Sequence, residues 1–144
     1  MLQNELMAKD IFHEIVKEAL IKDGWTITDD PLTLLNRAEG GISTDLGAEK
    51  IIVAEKDLTK IAVEVKSFLN PSMIHDFLRA NGQYTGYRTV IKRKQLNRII
   101  YLAVPMFAYE KLIVYEFVRD IIDDSCIKFI LFDHIEKIIK EWKE

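Results

Sequence analysis

A chain of 144 residues with 49% hydrophobic and 30% charged side chains has the size and composition of one globular domain. Its net charge of -3 excludes arguing for a polyanionic partner from overall charge, so any nucleic-acid contact has to come from a local patch. Cys126 is the only cysteine, which excludes an internal disulfide and a multi-cysteine zinc site and suits a reducing, cytoplasmic setting.

From Ala8 to Asp23 the apolar residues Ile11, Phe12, Ile15, Val16, Ala19 and Leu20 recur at helical spacing, and Gly24 stands where a helix C-cap belongs. Polar residues before it, with Asp10, His13 and Glu14 within it, do not make the apolar segment of a secretory signal. Trp25 to Thr28 reads as a short strand broken by Asp29-Asp30-Pro31, and Leu32 to Gly41 is ambiguous. Ala48 to Glu55 and Thr59 to Phe68 are rich in β-branched residues and read as an antiparallel hairpin joined at Lys56-Asp57-Leu58. Asn70-Pro71-Ser72 ends the second strand, and Ser72 is the expected N-cap of a helix reaching about Leu96, with Gly82 a point where it would kink or divide. Arg98 to Val104 is a continuously apolar strand stopped by Pro105, as for a central strand buried on both faces. A helix over Tyr109 to Ile122, a strand over Ile127 to Phe132 and an amphipathic helix over Ile135 to Trp142 complete the reading. The expectation is an α/β domain with a central mixed sheet flanked by helices, and no membrane span, because runs such as Ile99 to Val104 are far shorter than the roughly 20 residues that cross a bilayer.

One strand carries chemistry. Alternation over Lys60 to Phe68 places Ile61, Val63 and Val65 on one face and Ala62, Glu64 and Lys66 on the other. An ionised pair on a packed strand is costly unless a metal, a partner or solvent meets it. Hydrolysing a phosphodiester needs a hard cation held by carboxylates and a second positive group to orient water and balance developing charge. Glu64 suits the first role and Lys66 the second; Asp45, in Ser43-Thr44-Asp45-Leu46-Gly47, supplies another carboxylate, and the Val65 carbonyl would complete the coordination. If the hairpin turns near Leu58, however, Glu64 lies opposite about Ile51. That brings Glu49 nearer than Asp45 unless a bulge or bend at Gly47 shortens the path.

Asp45, a hairpin, and then Glu64-Val65-Lys66 resemble the acidic residue, hairpin and Glu-x-Lys of the PD-(D/E)xK nuclease superfamily, with Thr44 at the position that often holds proline. The resemblance implies a restriction-endonuclease-like fold and a Mg²⁺- or Mn²⁺-dependent site with Asp45, Glu64 and Val65 as metal ligands. Gln83 and Tyr87, four apart on one helix face, resemble the Gln-x-x-x-Tyr element of the RecB-like branch, which helps position the site and the nucleic acid. The superfamily often adds an acidic residue or histidine from the first helix; His13 flanks the apolar stripe and is favoured over Glu14, which points away from it.

More closely, Asp45-Leu46-Gly47-Ala48-Glu49-Lys50, Ile61 to Phe68, Gly82-Gln83-Tyr84 and Tyr101 to Pro105 resemble the XisH family, over about residues 8–142. That likeness implies an endonuclease-like factor in programmed excision of a DNA element, acting beside a site-specific recombinase and a small XisI-like companion.

Each residue also has a plain structural reading. Glu64 and Lys66 could form an ion pair on an edge strand, Asp45 a loop cap, His13 the boundary of an amphipathic helix, and Tyr87 part of the core. Arg88, Lys92, Arg93, Lys94 and Arg98 suit phosphate contacts or a solvated loop equally. Two functions follow: a DNA endonuclease, with a homodimer as one expectation since enzymes that cut both strands commonly pair, or a non-catalytic regulator assembling with the XisI-like partner and recombinase.

Overall fold

The computed structural model describes residues 2–52 and 57–144, with side chains from residue 10 to 50 and from 58 to 144. The first helix, α1, spans Leu2–Lys22 and ends at Gly24, whose φ of 93° is the left-handed geometry anticipated for a C-cap. Strands β1 (Thr26–Asp29), β2 (Leu32–Leu35), β3 (Ile42–Thr44), β4 (Leu46–Ile52) and β5 (Asp57–Val65) follow, with a single 3-10 turn at Arg37–Glu39. The ambiguous stretch is thus a β2–β3 ribbon around a turn capped by Asn36. Then come α2 (Met73–Arg93), β6 (Ile99–Pro105), α3 (Met106–Leu112), α4 (Glu116–Ser125), β7 (Phe129–Asp133) and β8 (Ile138–Lys143).

Six strands form one sheet in the order β1-β4-β5-β6-β7-β8. Pairing is parallel for β5–β6 and β6–β7 and antiparallel elsewhere, so the sheet is mixed and the apolar β6 lies inside it, as its unbroken apolar run anticipates. Against one face α1 packs Phe12, Ile15, Val16 and Leu20 onto Ile61, Val63, Val65, Tyr101, Ala103, Ile130 and Phe132. Against the other, residues of α2, α3 and α4 such as Phe77, Tyr84, Leu112 and Val118 cover Ala62, Ile100, Leu102, Val104, Phe129 and Leu131. This is the α/β, restriction-endonuclease-like architecture, and the two faces of β5 divide as its alternation requires. Tyr84 fastens the helical layer: its hydroxyl donates to the Ile100 carbonyl at 3.0 Å and accepts from the Lys128 amide at 3.1 Å. Among the described residues no helix is long and apolar enough to cross a membrane.

Three expectations need correction. The Tyr109 to Ile122 helix is two helices, because the β-branched pair Ile113-Val114 interrupts it and Arg119 Nη1 takes up the carbonyls of both residues at 2.6 and 3.3 Å. The Ser72 helix runs through Gly82 undivided. The last element is a strand instead of a helix. Asp133 Oδ1 accepts the Ile135 and Glu136 amides at 2.8 Å each and Lys137 takes φ 58°, which turns the chain back along β7. A bulge at Leu131/Phe132 shifts the register, so Ile139 and Trp142, three apart, both face the α1-side core. That spacing is what imitates a helix.

Candidate active site

The site forms where β4 begins and β5 ends. Leu46 pairs with Val63, Glu49 with Lys60 and Ile52 with Asp57, without a register shift between the strands. Of the anticipated junction, Lys56 lies outside the described residues while Asp57 and Leu58 already belong to β5. Continuing the pairing one step brings Asp45 opposite Glu64, whereas Ile51 faces Leu58 and Glu49 lies some four residues away, about 13 Å along the strand. Gly47 contributes no bulge to this pairing.

Asp45 and Glu64 hold each other reciprocally. The Asp45 amide donates to Glu64 Oε1 at 3.2 Å, and the Val65 amide donates to Asp45 Oδ2 at 2.8 Å. Thr44, 1% exposed, fixes the approach by donating from Oγ1 to the Leu46 carbonyl at 3.2 Å, so a buried hydroxyl occupies the place of the absent proline. Glu64 is 7% exposed, with Lys66 Nζ 3.7 Å and the Tyr87 hydroxyl 3.3 Å from its Oε2. Burial, and next the charge of Asp45, push the Glu64 carboxyl up from 4.5 to about 7, against the pull of Lys66. Burial and then the Glu64 charge push the Tyr87 phenol up to about 12, so it stays a donor. Asp45 Oδ1 and Glu64 Oε2 stand outside the reciprocal clasp. Carboxylate oxygens are hard donors of the kind that suits a divalent cation once Glu64 is deprotonated.

A family model described as XisH protein matches residues 6–140. The chain belongs to the XisH family. Two solved structures are similar to it: an XisH family protein from Nostoc punctiforme PCC 73102, at 40% identity and TM-score 0.80 over 93% of this chain and 99% of that one, and a FdxN element excision controlling factor protein from Anabaena variabilis, at 40% identity and TM-score 0.81 over 94% and 99%. No curated protein matches.

In this XisH chain the structure brings together Asp45, Glu64, Val65, Lys66 and Tyr87. Gln83, exposed on α2, lines a cavity of about 340 Å³ with Val65, Lys66, Ser67, Phe68, Asp76 and Arg79, the residues that follow Glu64 along the chain forming one wall. His13 is placed elsewhere in contact terms: its Nε2 lies 2.7 Å from Asp30 Oδ1, and Lys17 Nζ lies 2.7 Å from Asp30 Oδ2. The ligand atoms of His13, Glu14 and Asp30 lie within 4.8 Å of one another, but there Lys17 already supplies the positive charge. Of the basic run, Arg88 donates to the Ser125 carbonyl, Lys94 to the Leu34 carbonyl and Glu39, and Arg98 to the Ile61 carbonyl and Asp29. Arg88, Lys92 and Arg98 line a cleft with Leu58 and Thr59, at the end of β5 opposite Glu64. The sequence reading missed Asp30, whose contact with His13 spans 17 residues. It also missed Arg79, which extending the Gln83/Tyr87 spacing back one helical turn would have found.

Proposed function

We propose that this chain is a metal-dependent DNA endonuclease of the PD-(D/E)xK type, and that it serves the excision of a DNA element, the Anabaena variabilis relative being an FdxN element excision controlling factor. The observation that carries this reading is the β4–β5 register, which sets Asp45 opposite Glu64 with Lys66 3.7 Å from the Glu64 carboxylate. Asp45, Glu64 and the Val65 carbonyl would hold Mg²⁺ or Mn²⁺, which would supply Lewis-acid chemistry to the phosphoryl oxygen and the attacking water. Lys66 orients that water and balances the charge that develops on the phosphate. The Tyr87 hydroxyl holds the Glu64 carboxylate in place, and Gln83 faces the nucleic acid from the cavity wall. In the cytoplasm the chain then works beside a site-specific recombinase and an XisI-like companion.

Titration calorimetry of Mn²⁺ into the wild type and Asp45→Ala tests the metal. Saturable binding is expected in the wild type and its loss in the variant. Cleavage of duplex, nicked and branched DNA with Mg²⁺ is expected from the wild type and not from Glu64→Ala or Lys66→Ala; cleavage persisting unchanged in both variants sinks the proposal. The reciprocal amide-carboxylate clasp favours one other reading, a regulatory subunit in which these residues are a structural latch. In that case Asp45→Ala lowers the melting temperature while Mn²⁺ binding is absent from both proteins, and no DNA is cut alone or with the partner.

A further inference from the structure

Helix α2 presents Arg79, Gln83 and Tyr87 at intervals of four residues, one stripe along one face. Its inner end is Tyr87, on Glu64; Gln83 and Arg79 then line the cavity that Lys66 also lines. Eight residues of helix separate Arg79 from Tyr87 by about 12 Å along the axis, which is a few nucleotides along a strand at about 3.4 Å each. Among the described residues two cations, Lys66 and Arg79, line this space, and Asp76 is the one carboxylate that does. Asp76 is ion-paired to Arg79 three residues on, and the Arg79 side chain is 68% exposed. Asp76 is half-buried, but a pair whose cation stands in solvent holds that cation weakly. A guanidinium, by contrast, matches a phosphate with two parallel hydrogen bonds.

We infer that Arg79 binds a phosphodiester flanking the cut, and that Asp76 competes for it and lowers the DNA affinity of the free protein. The inference rests on the nuclease reading and adds to it a subsite and a built-in competitor. Binding of DNA withdraws Arg79 from Asp76, leaving that carboxylate in the first turn of α2, where the helix dipole favours a negative charge.

Fluorescence anisotropy with a short dye-labelled duplex, in metal-free buffer with EDTA, tests this without turnover. Arg79→Ala is expected to weaken binding about tenfold at low salt and to reduce the slope of log affinity against log salt by about one. Arg79→Lys should retain most of the affinity, and Asp76→Asn should tighten binding several-fold, with Asp76→Ser as a second variant of the same sign. Melting curves check that every variant is folded, which the exposure of Arg79 favours. The inference is overturned if Arg79→Ala binds as the wild type does, if the Asp76 variants bind more weakly, or if the wild type does not bind the duplex. Asp45→Ala separates the two claims, because it should lose cleavage with Mg²⁺ yet keep this metal-free binding. A duplex held through Arg79 but never cut leaves the subsite standing and removes the nuclease. A duplex cut by the wild type but held without regard to Arg79 does the reverse.

Discussion

Glu64 keeps a carboxyl group on a face of β5 where its neighbour two residues back, Ala62, is wholly buried, and the protonation of that carboxyl is therefore tied to folding. Its ordinary value of 4.5 rises to about 7 in the folded chain, chiefly through burial. The folded state thus holds the proton more tightly than the unfolded state. Stability from this group is fully present below about 4.5 and is lost as the pH climbs through about 7. In EDTA, unfolding free energy should fall by an amount on the order of 2 kcal/mol across that window, and Glu64→Gln should flatten the slope. Urea melts at pH 5, 6, 7 and 8 make the measurement, and an unchanged slope in Glu64→Gln would assign the pH dependence to other groups. Because a ligand carboxylate must be deprotonated, Mn²⁺ affinity should rise over the same range with release of a proton. That Glu64 and Lys66 share a face was legible from alternation alone. That Asp45 and not Glu49 stands opposite Glu64 was not, because register depends on where the chain reverses, and the β-branched residues around the junction look alike on either side of it.

At the scale of elements, Gly47 makes no bulge or bend that shortens the path to Glu64, and its task is a different one. It pairs with Ala62 of β5 and Asp29 of β1, and a Cβ there would lie 2.8 Å from Asp29 Oδ2 and 3.1 Å from Arg98 Nη1. The space above it is taken by the Asp29–Arg98 ion pair, which ties β1 to the start of β6 through the Ile61 carbonyl. Gly47→Ala should therefore cost about 1–3 kcal/mol through overpacking. Asp29→Gly, which removes both the carboxylate and the Cβ that would lie 3.2 Å away, should remove most of that penalty, so the two substitutions are non-additive in a double-mutant cycle; additive losses would mean the clash lies with Arg98 or the backbone. Most elements declared themselves through periodicity and turn residues. The element at residues 138–143 did not, since an extra residue, Lys140, bulges out of it against β7, resets the alternation and sets Ile139 and Trp142 on one face at a helix-like interval. Trp142 packs edge-on to Tyr101 at 5.1 Å, a contact 41 positions away in the chain that no local pattern announces.

For the molecule as a whole, the sheet has a fully buried middle and carries the site at its margin. β6 is hydrogen-bonded on both edges and buried on both faces, and Leu102, Ala103 and Val104 are fully buried. The site lies at the margin of that block, where β5 leaves the sheet after Lys66 donates its amide to the Ala103 carbonyl at 2.9 Å. The Val65 amide is a direct probe of this boundary, because its hydrogen bond runs to the Asp45 side chain and not to a strand. Native-state hydrogen exchange should give Leu102 the slowest rate, governed by global unfolding, and Val65 a faster rate governed by local opening. In Asp45→Ala the Val65 amide should exchange faster still, while Leu102 changes only with overall stability. Adding Mn²⁺ to the wild type should slow Val65 by more than the global shift that mass action imposes on Leu102. Val65 and Leu102 moving in step under both changes would show the clasp to be one cooperative unit with the sheet, and a site so locked could not open its carboxylates independently of the core.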